Sequence, residues 1–161
     1  AIYKNKIYTV IGQDPEHGEG VGNFYAIDAT KRGDITVSGK VWHLASIRRT
    51  ISTAAIADGL VYIADFSGLF HCLDAKTGKV HWTYDMLSAS WGSPLIVDGK
   101  VYIGNEEGEL FILAEGRELK ELAHIEFPAP LKSSVVPANG VLYVTTETHL
   151  YAFKEGAKPA Q

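Results

Sequence analysis

Short runs of β-branched, aromatic and aliphatic residues alternate along this chain with tight clusters of Gly, Asp, Asn and Lys. The clearest stretch runs from Gly59 to Asp85. Leu60-Val61-Tyr62-Ile63-Ala64 predicts a strand, Asp65-Phe66-Ser67-Gly68 a turn, and residues 69–73 a returning strand. Asp74-Ala75-Lys76-Thr77-Gly78 turns the chain again, and residues 79–84 predict a third strand. Strand-length apolar runs bounded by Gly and Asp clusters describe an antiparallel meander.

The pattern recurs. Tyr62 returns as Tyr102 and Tyr143, at steps of 40 (102 − 62) and 41 (143 − 102). Each follows a turn of one kind: Asp58-Gly59, Asp98-Gly99 and Asn139-Gly140. Such pairs tolerate the positive φ angles of two-residue hairpin turns. Residues 4–10 are the same element with weaker turn chemistry. The next strand recurs from Phe24 as Phe70, Leu110 and Leu150, and the strand before the turn as residues 52–56, 92–96 and 133–137. A period near 40 residues with four short strands per unit predicts the blades of a β-propeller.

Residues 70–82 (FHCLDAKTGKVHW) carry a resemblance. They are similar to the repeat of the pyrroloquinoline-quinone-like (PQQ-like) propeller family, which reads roughly small-apolar-Leu-Asp-x-x-Thr-Gly-x-x-x-Trp. Residues 24–42 hold a second, stretched copy; in the third, Ala114 replaces the Asp and no Trp follows Gly116. The fourth stops at Lys154. The likeness spans nearly the whole chain and extends to secreted bacterial, planctomycete-type members and to the propeller lipoprotein of outer-membrane assembly. It implies an all-β fold, a β-propeller of four-stranded antiparallel blades. About four are present, half of an eight-bladed ring. It also implies structural roles for Asp28, Trp42, Asp74, Thr77, Gly78 and Trp82, the Trp packing between blades while the Asp and Thr-Gly turn brace each other. A periplasmic or extracellular location follows from the resemblance alone.

The expected blades are residues 1–44, 45–86, 87–127 and 128–155, followed by a polar tail at 156–161. The first is expected to lack the strand preceding Asn5, the fourth the strand following Lys154. An open array of blades exposes apolar faces and sheet edges. The expectation is a fragment of a longer protein, or a chain whose ring is completed by a protein partner or a second copy.

Composition adds exclusions. With 161 residues, 46% hydrophobic, and a net charge of −4 spread along the chain, there is no basic footprint for nucleic acid. No apolar run approaches the roughly 20 residues of a membrane helix. Cys72 is the single cysteine, mid-strand, and reads as a buried thiol. No paired-cysteine zinc site, haem-attachment motif or phosphate-cradling Gly loop is present, and no catalytic residue can be assigned. Quinone-dependent dehydrogenases of the superfamily hold PQQ with Ca²⁺, an Asp base, an adjacent-cysteine disulfide and a stacking Trp. One cysteine cannot supply that disulfide.

Two places could carry binding. An eight-residue insertion within residues 11–22 holds Asp14, Glu16, His17 and Glu19 among glycines. Such oxygen donors could ligate Ca²⁺, but without an EF-hand register; a hydrated polar loop is the other reading. Aligned on the Asp-Gly turns, Thr53, Ser93 and Ser134 form one column, Ile51, Trp91 and Lys132 another, with Arg49 two residues earlier. Hydroxyls inside a mouth holding Arg49, Trp91 and Lys132 would suit a small ligand, where Trp91 could stack on a planar group or simply plug the channel. The expected function is a non-catalytic binding or scaffolding module without cofactor. The alternative is a piece of a PQQ-dependent oxidoreductase, with Trp91 the one stacking candidate.

Overall fold

The structure, a computed structural model, describes residues 1–12 and 22–157. It is all-β. The first sheet contains β1 (Ile2–Tyr3), β2 (Lys6–Ile11), β3 (Asn23–Asp28) and β4 (Lys40–Leu44). The second contains β5 (Ala55–Ala57), β6 (Leu60–Ala64), β7 (Leu69–Asp74) and β8 (Val80–Asp85). The third contains β9 (Leu95–Val97), β10 (Lys100–Gly104), β11 (Glu109–Ala114) and β12 (Glu121–Glu126). The fourth has three strands among the described residues: β13 (Val136–Ala138), β14 (Val141–Thr145) and β15 (Leu150–Phe153). Every sheet is an antiparallel meander in chain order, a propeller blade.

The hairpin turns explain the register. Asp58-Gly59 (φ 44° and 79°), Asp98-Gly99 (50° and 67°) and Asn139-Gly140 (52° and 71°) are left-handed at both central residues. Their twist matches that of the flanking strands. Lys4-Asn5 adopts the same geometry (46° and 58°) despite its less suitable residues. The first blade accordingly does have a strand before Asn5, correcting the expectation: Ile2 pairs with Ile7 and Tyr3 with Lys6. Two residues make too short an apolar run to show as a periodic signal. The inner strands also begin three residues later than expected. Ser52 instead bonds back to the Ala64 carbonyl (3.0 Å), and Thr53 turns its N–H to the neighbouring blade, donating to Ser93 Oγ (2.9 Å).

The core lies between blades. Along β6, Val61 and Ile63 pack on the first blade while Leu60, Tyr62 and Ala64 pack on the third. This is the two-residue side-chain period used on both faces. Each fully buried aromatic or aliphatic side chain contributes about 1.5–3 kcal/mol. Trp42 bridges the first and second blades, donating from Nε1 to the Ala75 carbonyl (3.0 Å), which also accepts from the Tyr8 hydroxyl (2.9 Å). A Cβ on Gly78 would lie 2.7 Å from the Trp42 ring, so only glycine seats it. Asp74 Oδ1 shapes that turn by accepting from Lys76 N (3.0 Å), Thr77 N (2.9 Å) and Thr77 Oγ1 (2.9 Å). Asp28 makes a shorter version with Thr30 N (2.9 Å) and Oγ1 (2.7 Å). Trp82 repeats the bridge to the third blade, donating to the Gly116 carbonyl (3.0 Å), while Gly116 N–H donates to the Tyr62 hydroxyl (2.9 Å).

Candidate binding rim

In the second, third and fourth blades, the turn between the second and third strands shares one rim with the connection entering the blade. Backbone bonds repeat there: Phe66 N–H donates to Arg49 O (2.8 Å), Glu106 N–H to Ala89 O (2.9 Å) and Glu147 N–H to Pro130 O (3.1 Å). This register places one residue of each turn beside the entering connection of its own blade. Buried turn heads support it. Asp65, fully buried, accepts from Ser67 N (3.0 Å), Ser67 Oγ (2.6 Å) and Leu69 N (3.1 Å), and lies 3.3 Å from His71 Nε2. Burial pushes its carboxyl up, but the hydrogen bonds from His71, Ser67 and Leu69 outweigh that and hold it below the ordinary carboxylate range. Asn105 does the same work in the third blade, Oδ1 accepting from Glu107 N (3.1 Å) and Glu109 N (3.0 Å).

On this frame stands a ladder of side chains. The Arg49 guanidinium lies 4.2 Å from the Phe66 ring centre. Phe66 meets the Trp91 ring edge-to-face at 4.9 Å, and Lys132 Nζ sits 5.8 Å from the Trp91 ring. Trp91 Nε1 donates to Glu106 Oε2 (2.7 Å), and Lys132 pairs with Glu147 (2.6 Å). Arg49, Trp91 and Lys132 thus belong to one stacked series, but Arg49 reaches Trp91 only through Phe66. The sequence reading missed Phe66 because it sits in a turn that looks merely polar. The hydroxyl column is also brought together: Thr53 N–H donates to Ser93 Oγ (2.9 Å), and Ser93 N–H to Ser134 Oγ (2.8 Å). Each link joins consecutive blades, so the Ser93 and Ser134 hydroxyls already serve the backbone. Trp91 remains 41% exposed, and Ile51 and Leu87 on the same rim are exposed as well. Leu87 is held at φ 60°, an uncommon backbone state for leucine.

Asp14, Glu16, His17 and Glu19 lie outside the described residues. Among the described residues, Glu109, His124 and Glu126 bring their donor atoms within 4.8 Å of one another. Adjacent strands create this group: Glu109 pairs with Glu126 and Phe111 with His124. His124 stacks on Phe111 (4.6 Å) with Nε2 3.1 Å from Glu109 Oε1, while Glu109 Oε2 accepts from Asn105 Nδ2 (2.6 Å). No linear spacing could show it.

A pyrroloquinoline quinone site would need a free ring face and spare oxygen donors beside it. Around Trp91, Phe66 makes a T-shaped contact, a cation overlies the ring, and the neighbouring carboxylates Glu106 and Glu147 are already engaged. Cys72 is buried, its Sγ 3.5 Å from the Gly116 carbonyl, and burial pushes its thiol up to about 12. These residues do not fit the quinone.

Blades of this kind, with a Trp interlock and an Asp-x-x-Thr-Gly turn, define a propeller of PQQ-like repeats. Over residues 25–154 the chain matches the family profile described as outer membrane protein assembly factor BamB, and it belongs to that family. It is similar to the quinohemoprotein alcohol dehydrogenase of Comamonas testosteroni, 30% identical over 108 residues, covering 58% of this chain and 15% of that protein. Among solved structures it resembles BamB from Moraxella catarrhalis, with a TM-score of 0.72, 20% identity, and 91% of this chain on 42% of that one. It also resembles the computationally designed Ika4 protein, with a TM-score of 0.68, 12% identity, and 96% of this chain on 88% of that one. At such identities the two structures speak for the fold alone. The chain spans less than half the length of the dehydrogenase and of BamB. No helix among the described residues is long and apolar enough to cross a membrane.

Proposed function

We propose that the chain is a non-catalytic binding module that presents the Arg49–Phe66–Trp91–Lys132 ladder to a partner protein. The observation that carries this reading is the ladder itself: a half-exposed tryptophan fixed by Glu106 and Phe66, with Lys132 over its ring and Arg49 over that of Phe66. Rigid aromatics and arginine are the groups that dominate binding energy at protein interfaces, and here their ordering cost is already met by intramolecular contacts. The kinship to an outer membrane protein assembly factor supports an extracytoplasmic setting. The repeat units at 1–44, 45–86, 87–127 and 128–155, with the tail 156–161, then form a scaffold whose ring a protein partner or a second copy completes. A photo-crosslinking residue at position 91, with the protein in its source cells, is expected to yield a discrete protein adduct, absent when the same residue replaces Asp58 on the opposite rim. Equal adducts from both positions, or none, would sink the reading.

The sequence likeness to an alcohol dehydrogenase favours a second reading, a portion of a quinoprotein oxidoreductase. Equilibrium dialysis with PQQ and Ca²⁺ separates the two. Retention of the quinone at one site per chain would replace the scaffold by the oxidoreductase.

A further inference from the structure

The third blade carries a polar group on β11 and β12 that the first and second blades lack. Glu109 and Glu126 stand directly opposite each other across the two strands, and His124 faces Phe111 two residues along. Two carboxylates in that register repel. Among the described residues, the basic side chain paired with Glu109 is His124, whose Nε2 lies 3.1 Å from Glu109 Oε1. The donor atoms of all three lie within 4.8 Å of one another.

The other blades show what a structural histidine needs at this place. In the first, His43 stacks on Tyr25 (4.3 Å) as His124 stacks on Phe111 (4.6 Å). There Nε2 meets the neutral amide of Asn23 (2.8 Å), the first residue of β3 as Glu109 is the first of β11. The residue after Leu44, in the place of Glu126, is Ala45. In the second blade the three positions hold Leu69, Thr83 and Asp85, and Asp85 Oδ1 accepts from Leu87 N–H (2.9 Å). The stack and its hydrogen bond are thus met by a neutral partner, and the third blade adds two carboxylates.

We propose that Glu109, His124 and Glu126 bind a zinc ion. One imidazole nitrogen and two carboxylate oxygens, with water in the fourth position, are a donor set that zinc accepts. The 3.1 Å between Nε2 and Oε1 is close to the edge, about 3.3 Å, of a tetrahedron with bonds of about 2.0–2.1 Å. Groups outside the set orient the ligands. Phe111 fixes the plane of the His124 ring, and the fully buried Asn105 donates from Nδ2 to Glu109 Oε2 (2.6 Å), leaving Oε1 turned to the imidazole. Outer partners of this kind hold metal ligands in place. His124 and Glu126 are exposed and Glu109 half-buried, so an ion can enter and water can complete its shell. None of the three belongs to the ladder around Trp91, and the inference does not rest on it.

The test is calorimetric titration of the 161-residue chain with Zn²⁺, with ¹⁵N NMR of the imidazoles to locate the ion. One equivalent is expected to bind and to move the His124 Nε2 resonance but not that of His43. Glu126→Gln, at an exposed position, should weaken affinity at least tenfold, and His124→Ala at least a hundredfold. His43→Ala, which removes the matching stack, should leave it unchanged. Ca²⁺ in tenfold excess, which prefers all-oxygen sites, should not displace the zinc. Failure to saturate, or undiminished binding in His124→Ala, would mean an adventitious ion only and overturn the proposal. An equal loss in His43→Ala, or displacement by Ca²⁺, would overturn it too. Should His124→Ala not fold, Glu126→Gln decides. A tenfold loss supports the site, and unaltered affinity overturns it.

Discussion

The two rims of this molecule follow different rules. On the rim of the Asp-Gly and Thr-Gly turns, side chains and backbone repeat together. Positive φ recurs at four hairpin turns, and Asp74 and Thr77 set the seat that receives Trp42. On the other rim the backbone and the buried turn heads Asp65 and Asn105 repeat, while the exposed side chains change. The N–H to C=O link from turn to entering connection recurs in three blades, yet the residues that make it are Phe66, Glu106 and Glu147. Repetition there fixes where a side chain stands and leaves its identity free. One rim therefore encodes assembly of the fold, while the other can vary without unfolding it.

Substitutions should respect that division. The largest effect is expected from Trp82→Ala, which removes a ring packed on Tyr62 and Phe70 together with its bond to Gly116. A loss of about 3–5 kcal/mol should appear in urea unfolding. Gly78→Ala should follow at about 2–4 kcal/mol, since it combines a left-handed φ of 73° with a collision against Trp42. Third comes a pH effect. Asp65 has a folded-state pKa below its ordinary value of 3.8. Its contribution is therefore complete above that value and lost as pH falls through the lower folded-state value. As pH falls below 3.8, the urea midpoint should drop more steeply in the parent than in Asp65→Asn, which cannot titrate; parallel profiles would remove Asp65 from the account. The smallest stability change, under about 1 kcal/mol, is expected for Trp91→Ala on the variable rim, measured by the same unfolding. A loss comparable to that of Trp82→Ala would erase the distinction between the rims.

Much of the fold was legible because one period governs several columns at once. Tyr62, Tyr102 and Tyr143 gave the register, and the Asp-Gly pairs gave the turns. What escaped has identifiable causes. The strand at Ile2–Tyr3 is too short to carry a period. The inner strands were placed early because Thr53 and Ser93 look like strand residues, yet they bond between blades. Trp42 and Trp82 were readable as blade packing, but their acceptors, Ala75 and Gly116, lie 33 and 34 residues away and show no local signature. Phe66 was overlooked as part of a turn, and the Glu109–His124 pair arises only when β11 meets β12. The missing tryptophan of the third repeat was visible as a departure from pattern.

The tryptophan interlock also has a sense of direction. Trp42 passes from the first blade to the second and Trp82 from the second to the third, never the reverse. The array is thus polar, with a plug side and a socket side, like links that engage only one way round. A body that repeats this interlock on the first blade's socket side would meet it head to tail, in the manner of a heterologous contact.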